Sequence, residues 1–326
     1  MYFPYLYARK FELLALRQLV QDKNVTETVV PVLEPIARKV DDLRRAARAL
    51  TEARVRAIVV MNPRQGEFKI GSTTDLQTNL AEDFRDSRSL LPGLICHSNV
   101  RWGVVAQFLE LYQNRDVALL YWNPRLEQAD FRRIAAMRRV RFNVVLHEQM
   151  PADLRALLPR NTLVDIRDRF NAQPKNSDYN GSEFFSDSHR TFRDSTVGYG
   201  DFMTIGSEYK KGGGPAHAVA IHATYKQTRS GDIWVEHFVS DDTELGVATT
   251  AEKFLQAARK LVRAVSRRRS EFGNNGALNS YAEYVRTNSF PGLGVNKQLQ
   301  IHHHVALNRS HPGNYTVYSR GAELRS

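Results

Sequence analysis

Eight short apolar runs, most of them followed by a longer segment of helical period, restrict the fold of this chain more than any other feature. They are Tyr2 to Tyr7, Thr28 to Pro35, Arg56 to Pro63, Gly93 to Ser98, Asp116 to Pro124, Phe142 to Glu148, Asn161 to Asp168 and Thr196 to Gly206. Each is rich in β-branched or other apolar residues and nearly continuous, as strands covered on both faces of a parallel sheet are. After the second run, Leu43, Ala46, Ala47 and Leu50 recur at the spacing of one helical face. Right-handed βα units in this number predict an α/β fold, a (β/α)8 TIM-like barrel. An open doubly wound sheet is the alternative, because a strand count does not establish closure.

Two passages depart from the plain alternation. Residues 171–195 form a long polar connection before the eighth run, within which Glu183 to Phe192 is expected to be helical. Residues 216–240 read as a β-hairpin at the C-terminal rim: AHAVAIHATY, the turn-like QTRSGD, then IWVEHFVSD. The next helix carries an apolar stripe of Phe254, Ala258, Leu261, Val262 and Val265 and is expected to be the eighth outer helix. A Gly/Asn-rich link follows Arg269. The expected organisation is a barrel over 1–270, rim hairpin included, and a helical C-terminal extension over 271–326 packed on it.

Cys96 is the single cysteine, which excludes a disulfide framework and a Cys-rich zinc site and fits a cytoplasmic setting. No stretch reaches the roughly 18 apolar residues of a membrane helix, so no membrane partner is expected. Lys and Arg number 46 against 35 Asp and Glu, a net charge of +11. Two helical stretches hold most of the excess: Arg125 to Arg141, with six Arg against Glu127 and Asp130, and Glu252 to Arg269, with seven basic residues against one Glu. Both belong on the outside of a barrel. Arg267, Arg268 and Arg269 are the expected surface contact for nucleic acid or an acidic protein.

The phrases YFPYLYARKFELLALRQL, VLEP, VDIRDRFN with NSDYNGSEFFSDSH, VGYGDF, and GGPAHAVAIHATY with IWVEHFVSD are long and occur in order. Through them the chain resembles the bacteriophage beta-protein family, most of all its bacterial branch, whose members open on the same YPYL…FELLAL phrase. The resemblance runs from residue 2 to about residue 265 and implies a phage–host conflict setting. The family brings no established activity or catalytic set, so no residue role is transferred from it.

In a barrel, the polar residues at strand C-termini converge on one mouth. Here they are Arg9, Lys10, Glu34, Asn62, His97, Asn123, His147, Glu148, Asp165, Asp168 and Asp201. Glu34, His147, Asp165 and Asp201 are the candidate catalytic residues, and Glu34, Asp165 and Asp201 are candidate ligands for a divalent metal. Such a centre suits a hydrolase acting on a phosphoester, while two carboxylates acting as acid and base suit a glycosidic bond. Arg9, Lys10, Asn62, Asn123 and Asp168 are candidate ligand contacts. So is the loop SEYKKGGGPAH, in which Lys210 and Lys211 supply charge and Gly213 lets backbone amides approach an anion. The competing expectation is a non-catalytic scaffold, or a partner- or nucleic-acid-binding protein of a phage-defence or phage-encoded system. On either, the mouth should be acidic and the exterior basic. His217 and His222 fall on opposite faces of their strand, His237 is expected to pack, and the run His302 to His304 is expected in a packed helix because adjacent helical positions diverge.

Overall fold

The structure, a computed structural model, describes residues 1–68, 73–210 and 217–309. Eight parallel strands close a barrel: β1 (Tyr2–Leu6), β2 (Val32–Leu33), β3 (Ala57–Val60), β4 (Leu90–His97), β5 (Val117–Trp122), β6 (Val140–Leu146), β7 (Leu163–Arg167) and, beyond an inserted strand β8 (Ser182–Ser186), β9 (Gly198–Asp201). Closure is explicit in the register of β1 on β9, Tyr2 opposite Tyr199 and Phe3 opposite Gly200, so the open sheet is ruled out. Glycine is required at that seam, since a Cβ on Gly200 would stand 2.0 Å from the Phe3 carbonyl oxygen.

Alternate residues of each strand feed two cores. Phe3, Tyr5, Val32, Ile58, Leu120 and Ile166 fill the barrel interior. Tyr2, Leu33, Val59, Cys96, Tyr121 and Tyr199 turn outward beneath the helices. Both faces are apolar, and the runs read as continuous for that reason. Helices α1 (Lys10–Gln21), α2 (Asp41–Glu52), α3 (Thr74–Asp86), α4 (Trp102–Leu111), α5 (Gln128–Ala135) and α6 (Ala152–Arg155) follow the first six strands. The four predicted apolar positions of α2 are all buried. Among the described residues, no helix is long and apolar enough to cross a membrane.

The connection before β9 is not the helix expected. Glu183 to Ser186 lies in β8, and only Ser188–Thr191 (α7) coils into a single turn. Phe184 is 47 % exposed and Phe185 2 %, an alternation of period two that belongs to a strand. The hairpin forms where it was expected, as β10 (Ala220–Lys226) and β11 (Ile233–Val239), and β8 adds to it in a three-stranded antiparallel sheet of order β10-β11-β8.

The helix assigned to the eighth outer position also moves. α8 (Thr250–Arg267), followed by α9 (Arg269–Phe272), packs on β10 and β11 together with α10 (Gly276–Thr287). The place beside α1 is taken by α11 (Leu293–Arg309). This helix is buried nearly all round, though it carries Asn296, Gln300, His302, His303, His304 and Asn308. On one face it caps the free edge of β10. Gln300 Oε1 accepts from the His222 amide at 3.0 Å, Asn296 Nδ2 donates to the Ala220 carbonyl at 3.3 Å, and His303 Nε2 donates to the Thr224 carbonyl at 2.7 Å. Positions 296, 300 and 303 share a helical face, and an exposed strand edge needs such cover. On another face Ile301, Val305 and Ala306 join the core beneath the barrel helices.

The edge cap makes stability depend on pH. His303 donates through Nε2 and accepts from Asn275 at Nδ1, 3.0 Å away, so the neutral ring fills both roles. Burial pushes its pKa from 6.5 down to about 4. The unfolded chain therefore binds this proton first: stability is complete above about pH 6.5 and falls as pH drops toward 4. The share of His303 is on the order of 3 kcal/mol. Urea unfolding from pH 7 to 4 should show this loss, and His303→Gln, which keeps an N–H donor, should flatten the slope. An identical slope in the variant would contradict the assignment.

Candidate functional site at the barrel rim

Strand parity divides the predicted catalytic set. Glu34 follows Leu33, which faces out, so its carboxylate faces in. It accepts from the Tyr5 hydroxyl at 2.6 Å and from the Arg64 amide at 2.7 Å, and burial raises its pKa. His147 lies at the mouth with its ring stacked on Phe202, centroids 4.8 Å apart and planes at 11°. Burial lowers its pKa against the opposing pull of Asp168.

Asp165 and Asp201 lie on the other side of the barrel wall. Val164 and Ile166 point inward, so Asp165 points out, where Arg155 of α6 clasps both its oxygens, one at 3.0 Å. Tyr199 faces out, and Asp201 with it. Buried under α11, Asp201 accepts from the Tyr2 hydroxyl at 2.9 Å, the Met203 amide at 2.9 Å and His304 Nε2 at 3.1 Å. Thr224 completes the row, 3.0 Å from His304 Nδ1. The sequence Thr–His–Asp resembles a nucleophile triad, but Thr224 and His304 are both 0 % exposed, and the row joins β9, α11 and β10 structurally. The metal set Glu34, Asp165 and Asp201 is thus split by the barrel wall. Among the described residues, no three His, Cys, Asp or Glu side chains are grouped to hold a metal ion.

The other predicted contacts have definite places. Asn62 bonds both the amide and the carbonyl of Ile95, at 2.7 and 2.9 Å, and extends the ladder beyond β3. Asn123 is exposed, with a left-handed φ of 52°. Arg9 lies over the Tyr209 ring at 4.5 Å, and Lys10 is exposed. Lys210 pairs with Glu208 at 3.0 Å, while Lys211 and Gly213 lie outside the described residues. Of the basic triplet, Arg267 and Arg269 are exposed. Arg268 is half-buried, paired with Glu236 and stacked over Tyr225 at 4.8 Å, so it is a packing element rather than a free surface cation.

Nor is the mouth the acidic pocket expected. Tyr5, Tyr7 and Phe202 plug it, and Glu34 is sealed beneath. Its half-exposed groups include Arg64, whose guanidinium lies 4.8 Å from the Trp122 ring, together with His97, Trp122 and His147.

Beside the plug opens a cleft of about 450 Å³. One wall is the loop after β7, with Asp168, Phe170 and Tyr179; a second is the loop after β9, with Thr204 and Lys210; the third is β10 and α11, with His222 and Lys297. Asp168 ties the two loops, accepting from the Phe170 amide at 3.1 Å and the Ser207 amide at 2.7 Å. Three groups in the lining have capacity left. The Thr204 hydroxyl is buried with no hydrogen-bond partner. Lys297, in the first turns of α11, makes no ion pair among the described residues, and burial first, then Arg9, lowers its pKa, while Glu12 raises it. The third is His222.

His222 and His237 are direct cross-strand partners with Nδ1 atoms 2.8 Å apart. His237 Nε2 lies 3.2 Å from Glu183 Oε1. Sequence reasoning missed the pair by comparing His222 with His217 along one strand. The available signal was that His222 and His237 are equidistant from the centre of the connection Gln227 to Asp232.

Removing the two misplaced aspartates should have different costs. Asp201→Ala leaves buried His304 and Tyr2 without their acceptor and should cost about 3–5 kcal/mol. Asp165→Ala opens a partly exposed pair and should cost roughly 1 kcal/mol. Urea denaturation at pH 7 measures both; equal losses would contradict the placement.

No family model, curated protein or solved structure matches this chain.

Proposed function

We propose that this chain binds a small phosphorylated compound in the rim cleft and acts on its phosphoester. One observation carries the reading: Lys297, which makes no ion pair among the described residues, stands in the first turns of α11 on the wall of a cleft that also holds the unpartnered Thr204 hydroxyl. The N-terminal turns of a helix favour an anion, and a lysine there adds a full charge. The loops after the seventh and eighth barrel strands are also where barrels commonly seat phosphate. Asp168 opposes an anion least where it stands, since both its oxygens already accept backbone amides.

The phosphoester is favoured over the glycosidic bond by the carboxylates. An acid–base pair must flank the scissile bond, whereas Glu34 is sealed, Asp165 and Asp201 face away, and Glu208 pairs with Lys210. The resemblance to the bacteriophage beta-protein family is what suggests the phage–host setting of this reading, and the lone buried Cys96 supports a cytoplasmic one.

Inorganic phosphate and a panel of phosphorylated compounds, each beside its dephosphorylated counterpart, should be titrated by calorimetry. Phosphorylated members should bind, and Lys297→Met should weaken them by about tenfold, or 1.4 kcal/mol, while Lys10→Met leaves them unchanged. Equal affinity in Lys297→Met and the parent chain would remove the cleft from the reading.

A further inference from the structure

The wall behind the cleft is thin and made of histidine. His222 lines the cleft, and His237 lines a separate groove of about 700 Å³ that runs beside α8 with Lys260, Arg263 and Arg267. Tyr179 lines both, its ring centroid 4.4 Å from His222 and 4.8 Å from His237.

Hydrogen-bond chemistry orders the protons in this wall. Glu183 is a carboxylate and accepts, so His237 donates through Nε2 and keeps a lone pair on Nδ1. That lone pair lies 2.8 Å from His222 Nδ1, which must donate. His222 Nε2 is then left without a proton. The ring cannot take a second proton cheaply as a cation, because it is buried and the positive charge of Lys297 acts against it. The groups facing it are His237 from β11, Gln300 and Lys297 from α11, and Phe170, Tyr179 and Asp168 from the loop after β7.

We propose that Glu183, His237 and His222 form a proton relay through this wall, making His222 Nε2 a general base toward water or a hydroxyl held in the cleft. The O–H bond of that group breaks, its electron pair stays on oxygen, and an N–H bond forms at His222 Nε2. The Nδ1 proton of His222 passes to His237 Nδ1, and the Nε2 proton of His237 passes to Glu183. Both rings end neutral, the negative charge ends on the deprotonated oxygen, and the proton ends on Glu183, whose side chain is 33 % exposed and bonded by Asn171 at 3.1 Å. Run backward, the relay returns the proton from His222 Nε2 to a leaving oxygen. Glu183 and His237 are positioning residues in this scheme; His222 is the catalytic one. The relay rests on the proposed function only for what occupies the cleft.

Diethyl pyrocarbonate, which acylates an unprotonated imidazole nitrogen, tests it on the full chain at pH 7 with peptide mass spectrometry. His222 should label faster than the sealed His303 and His304. Glu183→Gln and His237→Gln should slow labelling of His222 by about tenfold, the effect of one pKa unit in base strength, with unchanged circular dichroism confirming the fold. Glu183 is half-exposed, so the first variant retains the core. Imidazole 15N shifts give a second readout, with His222 protonated at Nδ1 and bare at Nε2. Labelling unaffected by both variants, or a proton found on His222 Nε2, overturns the relay. Inorganic phosphate separates the two proposals. If phosphate shields His222 but the variants label normally, the ligand reading survives and the relay falls. If the variants slow labelling and phosphate does not shield, the relay survives and the phosphate reading falls.

Discussion

The free edge of β10 is the constraint around which the second half of the molecule is arranged. An edge strand left bare in a partly apolar setting loses hydrogen bonds and invites pairing with other chains. Here α11 supplies side-chain partners to three successive edge groups. That demand explains why a helix buried on nearly every side is so polar. It also explains why the eighth outer position of the barrel is filled from the far end of the described chain: the helix that caps the sheet must also pack on α1. Asp201 and His304 then join β9 to the same helix.

From this single helix the cleft acquires its chemistry. α11 enters at the rim, so its first turns, with Lys297, form one wall, while the capped edge holds His222 in place on another. The hairpin partner strand sets His237 behind it, and β8, inserted between the last two barrel strands, brings Glu183. Glu183 on the inserted strand and the two histidines of the hairpin thus meet through ordinary sheet register.

The barrel was legible in the sequence because strands buried on both faces leave long β-branched runs and because helices such as α2 keep one apolar face. The site was legible only in part. When both faces of a strand are apolar, the pattern gives no sign of which parity faces inward, so Asp165 and Asp201 looked equivalent to Glu34 although the barrel wall separates them. The passage from Glu183 to Phe192 looked helical because the Phe184–Phe185 pair hides a period of two. α11 showed no apolar stripe, since its polar residues answer a strand edge and not solvent. The histidine pair required the hairpin register, which the symmetry about Gln227 to Asp232 contains but which strand-by-strand reading does not use. Within the basic excess, Arg268 proved to be a packing residue between Glu236 and two aromatic rings.

On the proposed function the rim cleft, and not the aromatic plug of the barrel mouth, is the place where this protein meets its ligand. A crystal structure of the full chain grown with inorganic phosphate tests it most directly. Phosphate density is expected in the cleft, within hydrogen-bond distance of Lys297 Nζ and the Thr204 hydroxyl and facing His222. Phosphate bound instead at the mouth among Arg64, His97 and Trp122, with the cleft left to solvent, would contradict it.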